Sequence, residues 1–460
     1  MKYTISQNAD CGSYVCTSRY TFGEGKIQAM FIVGFSILYL LRDIAGMVFP
    51  DIVFSGLCAL AFVFANLETS FGIYIFTTTL TVPHNEIAIF YLVGVLLRMF
   101  LEKRSKINIT LLVLTIGCLF LQMIDMMLFS PLNTSAFVYD YVVRMLPIVF
   151  PLLWFSVKLS PAAFKKALMC YVVGVLLGGT VTLILTGNDV GWDVLLEGTD
   201  SIRLGVTNEQ MTEGMQTTYN ANQLATMFTL SATISLLFMD QRWIPKALGY
   251  GIIAYSLLII LLTRSRSGMF TFLFAAMVYY WILIFRRKKV LQGIVALLAL
   301  IIVVLVVINA FPGLLDGLLD RFVDQDDMTN GRADLFDLYI SAWSADIWCL
   351  LFGYGIGSYS NVVDIFNVPH NSIADILISW GLVGFCLVIT ILGMLFKSGK
   401  KDVTKDNLIL GSLPATIAII SSFAGQYLTV GFPHTRLCFL LLSINAFLLN
   451  NQVSLKPLED

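Results

Sequence analysis

Long apolar runs separated by short polar connections follow one another along almost the whole chain. They lie at about 27–41, 52–67, 72–83, 87–101, 109–129, 137–158, 166–187, 220–239, 246–263, 267–285, 290–311, 373–396, 408–428 and 436–450. Many approach the twenty residues a helix needs to cross a bilayer, and none alternates with the period of two that marks a barrel strand. The pattern predicts an all-α, polytopic membrane protein with about 12–14 transmembrane helices, the short run 72–83 being a candidate re-entrant segment. Two long connections interrupt the series, and the predicted organisation is a tail over 1–26, a bundle over 27–187, a loop over 188–219, central helices over 220–311, a large loop over 312–372, C-terminal helices over 373–450 and a tail over 451–460. Inside the large loop, Leu314-Leu315, Leu318-Leu319 and Phe322-Val323 recur about every four residues, and Leu335, Phe336, Tyr339, Ile340 and Trp343 form a second such stretch. Both predict amphipathic helices lying on the membrane.

Composition strengthens the membrane reading. Of 460 residues only 13% are charged and 57% are apolar, against about 25% charged in a soluble protein. The net charge of −1 argues against a nucleic-acid partner, which would call for a basic surplus. Cys58, Cys118, Cys170, Cys386 and Cys438 fall in apolar runs and read as small buried hydrophobes, Cys349 falls in a loop, and no C-x-x-C pair exists. The first 26 residues lack a short apolar core with a cleavage site, so the first span is expected to target the chain.

Charge sorting predicts orientation. Alternate connections carry Lys103, Arg104 and Lys106; Lys158, Lys165 and Lys166; Arg242 and Lys246; Arg286 to Lys289; and Lys397, Lys400, Lys401 and Lys405. By the positive-inside rule these sides, with both termini, face the cytoplasm, and the two long loops face outward. Twelve of these sixteen cations are Lys, whereas the outer face carries Arg42, Arg203, Arg264, Arg266, Arg321, Arg332 and Arg436 and no Lys. Arginine is suited to bidentate recognition of phosphate or carboxylate; positive-inside sorting explains few outer cations but not the preference for Arg.

Several outer segments carry candidate chemistry. Thr263-Arg264-Ser265-Arg266-Ser267-Gly268 forms a tight turn between two spans, where cations at the hydrocarbon edge call for an anionic partner such as a lipid phosphate, or else snorkel to ordinary headgroups. Arg203 is the one cation in an acidic loop that ends in Asn220-Ala221-Asn222 at a span mouth; it reads as paired with an acid or as reaching a substrate phosphate. The large loop adds Asn330-Gly331-Arg332, a tight turn at Gly353-Tyr354-Gly355-Ile356-Gly357, and Pro369-His370-Asn371 before the next span. His370 is suited to take a proton from a sugar hydroxyl near neutral pH, or else to cap a helix. His84, His370 and His434 each follow a proline, but without local spacing they are a poor zinc set. Asp324-Gln325-Asp326 reads as a solvated acidic turn. Arg144, inside a span, is a functional candidate or a snorkelling side chain.

The order of Arg203 with its Asn-rich span mouth, Ser-Arg-Ser-Gly at 265–268, Asn-Gly-Arg at 330–332, Phe-Gly-x-Gly-x-Gly at 352–357, His370-Asn371 and Gly-Leu-Val-Gly at 381–384 resembles the O-antigen ligase and O-antigen polymerase superfamily of bacterial membrane glycosyltransferases. The resemblance spans about residues 200–384. It implies a metal-independent, inverting enzyme without a cofactor, working in the bacterial cytoplasmic membrane. The implied donor is an undecaprenyl pyrophosphate-linked oligosaccharide, with membrane lipids and a chain-length regulator of the same pathway as partners. Arg203, Arg266 and His370 correspond to the family's catalytic positions, and Arg264 is an additional cation beside Arg266. Substrate-binding candidates are Arg264, Arg332, Asn371, Asn220 and Arg144. A polymerase joining lipid-linked repeat units, a ligase transferring glycan to lipid A-core, and a flippase all suit the span count. The gathering of unusual charges at one face favours surface chemistry over transport.

Overall fold

The computed structural model describes residues 24–102, 107–129, 134–157, 161–197, 203–205, 220–310, 313, 332–355, 371–396 and 405–422. The helices are α1 (Glu24–Asp43), α2 (Asp51–Phe64), α3 (Leu67–Thr77), α4 (His84–Glu102), α5 (Ile109–Phe129), α6 (Thr134–Ser156), α7 (Pro161–Val190), a short α8 (Trp192–Glu197), α9 (Ala221–Asp240), α10 (Lys246–Thr263), α11 (Arg266–Trp281) with a π turn at Ile282–Arg286, α12 (Val290–Ala310), α13 (Arg332–Ser344), α14 (Ile347–Phe352), α15 (Ser372–Phe396) and α16 (Lys405–Ser422). The protein is an all-α polytopic membrane protein. Among the described residues seven helices are both long and apolar enough to cross a bilayer. The predicted span at 436–450 lies outside the described residues, as does the amphipathic stretch from Leu314 to Val323. The second amphipathic stretch forms α13. Cys58, Cys118 and Cys170 are buried as expected; Cys349 is also buried, on α14 and not in a loop, whereas Cys386 is exposed.

The segment expected at 72–83 is helical earlier, over Leu67–Thr77, and then leaves the helix. Asn66 starts it, accepting from Thr69 N at 2.8 Å. Three successive threonines end it: the hydroxyls of Thr77, Thr78 and Thr79 donate to Tyr74 O (2.8 Å), Ile75 O (2.7 Å) and Phe76 O (2.6 Å). These bonds give Ile75 O a donor and add a second to Tyr74 O and Phe76 O, which also accept from Thr78 N and Thr79 N, so the terminal carbonyls are satisfied where the helix stops. Helix α3 packs against α1, α2, α4 and α7. Its Tyr74 ring stacks on Tyr91 at 4.0 Å, and Trp154 Nε1 donates to Tyr91 OH at 3.0 Å.

Helix α9 is the most enclosed of the seven candidate spans, with 89% of its apolar window buried, and it packs against α7, α10, α11 and α16. Four of its buried hydroxyls, though not that of Ser231, are answered within the helix: Thr226 donates to Asn222 O (3.0 Å), Thr229 to Ala225 O (2.9 Å), Thr233 to Leu230 O (2.8 Å) and Ser235 to Ser231 O (2.9 Å). Short side chains thus permit close helix approach without leaving those hydroxyls orphaned. At its C-terminal end Asp240 holds Arg287 through a two-pronged ion pair, whose Nη2–Oδ2 arm is 3.1 Å.

Helices α13 and α14 lean on α15. Past α14 the backbone of Tyr354 donates to Ile378 O (2.8 Å) and that of Gly355 to Ser379 O (2.9 Å). Those carbonyls lie just before a break in α15 at Gly381, where φ is +60° and ψ −171°. Gln122 Nε2 on α5 also donates to Ser379 O, at 3.1 Å. The approach requires glycine: a Cβ on Gly353 would lie 2.5 Å from the Ser379 carbonyl carbon, and one on Gly381 2.3 Å from that of Leu351. Burial, with the Cys349 thiol beside it, pushes the Tyr354 phenol up to about 12. It therefore remains a donor to Ala342 O (3.3 Å) at any working pH.

Candidate functional site

The arginine-bearing turn is built by three helix ends. Helix α10 stops at Arg264, a left-handed C-cap with φ +47°, and α11 starts at once with Ser265 as its N-cap. Ser265 Oγ accepts from Gly268 N at 3.1 Å and donates to Asn222 Oδ1, in the first turn of α9, at 2.8 Å. Gly268 lets α11 meet α9 here, since a Cβ on it would lie 2.4 Å from the Ala225 Cβ.

Residues 203–205 complete the group. Leu204 is buried, and its backbone N–H donates to Leu262 O at 3.0 Å, while Gly205 turns the chain with φ +79°. This bond sets Arg203 alongside the Arg264-Ser265-Arg266 turn, although about sixty residues of chain separate them. Arg203 and Arg266 are both half-buried, whereas Arg264 has no exposed surface. The split answers which cation of the turn a ligand can reach: Arg266 lies partly open and Arg264 lies beneath, its charge acting in a poorly screening interior. The N-termini of α9 and α11 converge on the same place, and the positive ends of the two helix dipoles add to the potential there. The arrangement suits a phosphate or pyrophosphate held at the membrane edge.

The other candidates are placed differently. Asn220 is exposed and caps α9, accepting from Asn222 N at 2.9 Å; Asn222, two residues on, makes the bond to the turn. The sequence pattern pointed to Asn220 in this Asn-rich mouth and not to Asn222, and nothing in the spacing separates the capping Asn from the bridging one. Arg144 is half-buried on α6, which packs chiefly on α4 and α5. Asn371 caps α15, its Oδ1 accepting from Ile373 N (2.9 Å) and Ala374 N (3.3 Å), so that oxygen serves the helix. Arg332 opens α13, with its side chain outside the described residues, and His370 and His434 lie outside them altogether. No group of three His, Cys, Asp or Glu able to hold a metal occurs among the described residues.

Replacing Ser265 by Ala is expected to lower stability by about 1 kcal/mol, the usual cost of a lost N-cap, and to slow whatever reaction the turn serves. Thermal unfolding in detergent checks the first effect; no change in melting would show that the cap is dispensable.

Fold and site together define a polytopic helical membrane protein with an arginine centre at one end of the bundle. Residues 251–389, under a third of the chain, match the model of a family described as O-Antigen ligase; the match supports the resemblance to the O-antigen ligase and polymerase superfamily and a function of that general type. The match covers most of α10, α11 and α12, the described part of the large connection and the broken stretch of α15. No curated protein and no solved structure matches the chain.

Proposed function

We propose that the protein is a polysaccharide polymerase of the O-antigen or capsule type, moving glycan from an undecaprenyl pyrophosphate-linked donor to a hydroxyl of a lipid-linked acceptor repeat unit. The observation that carries this reading is the Leu204–Leu262 backbone bond, which sets Arg203 beside the Ser-Arg turn in a chain with an O-antigen ligase family match. The acceptor oxygen attacks the anomeric carbon opposite the pyrophosphate. The bond from that carbon to the phosphate oxygen breaks, and its electron pair leaves with the polyprenyl pyrophosphate, so the configuration inverts. Arg203 and Arg266 bind the leaving group and stabilise the charge that grows on it, an interaction strongest in the transition state. His370 is assigned the proton released by the acceptor hydroxyl. The Lys-rich connections support a site on the outer face of the bacterial cytoplasmic membrane.

Purified protein in lipid vesicles, supplied with lipid-linked repeat unit alone, is expected to yield a ladder of longer lipid-linked glycans. Transfer only after lipid A-core is added would replace the polymerase by a ligase. The ladder is expected to persist at full rate in excess chelator; loss on chelation and recovery with a divalent ion would overturn the metal-independent scheme.

A further inference from the structure

Asp125 is a carboxylate that the reaction scheme leaves unused. It lies near the end of α5 and has no exposed surface. No described residue hydrogen-bonds either of its oxygens. The turn after α14 packs against this part of α5: a Cβ on Gly355 would lie 3.2 Å from the Asp125 Cβ and 2.9 Å from Met126 N. Gly355 thus sits directly on this turn of α5 while its own N–H, with that of Tyr354, is bonded to the broken part of α15. One turn earlier on α5, Gln122 reaches the same Ser379 carbonyl that Gly355 uses. On the broken part itself, the buried Trp380 Nε1 also lacks a hydrogen-bond acceptor.

Two opposing effects therefore meet at one seam. The backbone bonds and the glycine fit favour docking of residues 353–355. The docked state also shuts an unanswered carboxyl away from water, and a buried polar group without a partner opposes the state that buries it. Evolving an apolar side chain at position 125 would remove that opposition, as replacement of buried ionic groups by packed apolar ones often does.

We propose that Asp125 is a positioning residue that keeps the Gly353–Gly355 stretch weakly docked on α5 and α15, so that the stretch lifts in each catalytic cycle. Lifting frees Tyr354 N–H and Gly355 N–H from α15 and lets the carboxyl meet water. The stretch joins α13 and α14 to α15, whose capping residue Asn371 follows His370 in the chain. The need for lifting in turnover rests on the function proposed above; the weak docking does not.

Hydrogen exchange at the Tyr354 and Gly355 amides, measured by mass spectrometry on the full-length protein in lipid nanodiscs, tests the docking. Asp125→Leu is expected to slow that exchange at least about tenfold and to raise the melting temperature, with Asp125→Asn falling between Leu and wild type. Gly355→Ala, which pushes the stretch off α5, is expected to speed it. In the polymerisation assay Asp125→Leu is expected to lower kcat several-fold without raising KM. A merely structural aspartate would give the opposite sign, with lower melting temperature and faster exchange in Asp125→Leu, and that result overturns the proposal. Slower exchange with unchanged kcat would overturn the link to turnover. If wild-type protein makes no glycan ladder, the reaction assignment fails while the exchange measurement still decides the docking.

Discussion

Arg266→Ala and Arg203→Ala are each expected to reduce glycan transfer by about 100- to 1000-fold, the usual loss when one donor to a developing anion is removed. Both side chains are half-buried at the edge of the turn, so neither loss should be accompanied by a large change in melting temperature. Lysine at either position is expected to recover only part of the rate, because a point charge does not reproduce the two-pronged contact of a guanidinium with phosphate oxygens. Arg264 should behave differently. It has no exposed surface and adopts a left-handed backbone at the junction of two helices, so Arg264→Ala is expected to lower folded yield as well as rate. The measurements are turnover of lipid-linked repeat unit and thermal unfolding on the same preparations. Retention of more than half the wild-type rate by either Arg203→Ala or Arg266→Ala would remove the pyrophosphate assignment.

The largest effect on folding is expected at Gly381. Its backbone lies at φ +60° and ψ −171°, a region that is costly for a residue with a Cβ, by about 1–3 kcal/mol. The added carbon would also meet the Leu351 carbonyl carbon at 2.3 Å, and overpacking of that kind costs about 1–3 kcal/mol more. Gly381→Ala is therefore expected to destabilise the protein by about 3 kcal/mol or more, and to undock α14 from α15. Gly117, on α5, offers the contrast: it has nothing within 4 Å of an added Cβ, and Gly117→Ala should be neutral or stabilising by up to about 1 kcal/mol. Similar melting of the two variants would show that the break at Gly381 is not a required feature.

The helical architecture was legible because lipid leaves a chain few options. A span must be long and apolar and must satisfy its own backbone groups, and each condition marks composition and run length. The seam at Gly353, Gly355 and Gly381 was only half legible. The glycines after Phe352 read as a tight turn, and Gly353 and Gly355 do turn with φ +83° each. The partner of that turn, a break inside what reads as one apolar span at 373–396, leaves no trace in hydropathy, because the broken stretch is as apolar as the helix around it. Segment α3 shows the same limit: its run of apolar residues was visible, but the end of the helix is set by threonine hydroxyls turning back on carbonyls, and threonine within an apolar run reads equally well as helix.

At the candidate site the residue types were visible and their grouping was not. The preference for Arg on one face, the tight Ser-Arg turn and the Asn-rich span mouth are local features that composition and order reveal. Their convergence depends on long-range bonds, Leu204 to Leu262 and Ser265 to Asn222, and on Gly268 passing Ala225. No local pattern encodes such pairs, because each requires only a backbone group, a small residue or a common polar side chain. The scarcity and sorting of charge therefore told what solvent surrounds the protein and at which end to look for its chemistry. Which arginine is open and which is buried, which asparagine bridges and which merely caps, and that Asp125 lies unanswered beneath Gly355, follow from how the helices pack against one another.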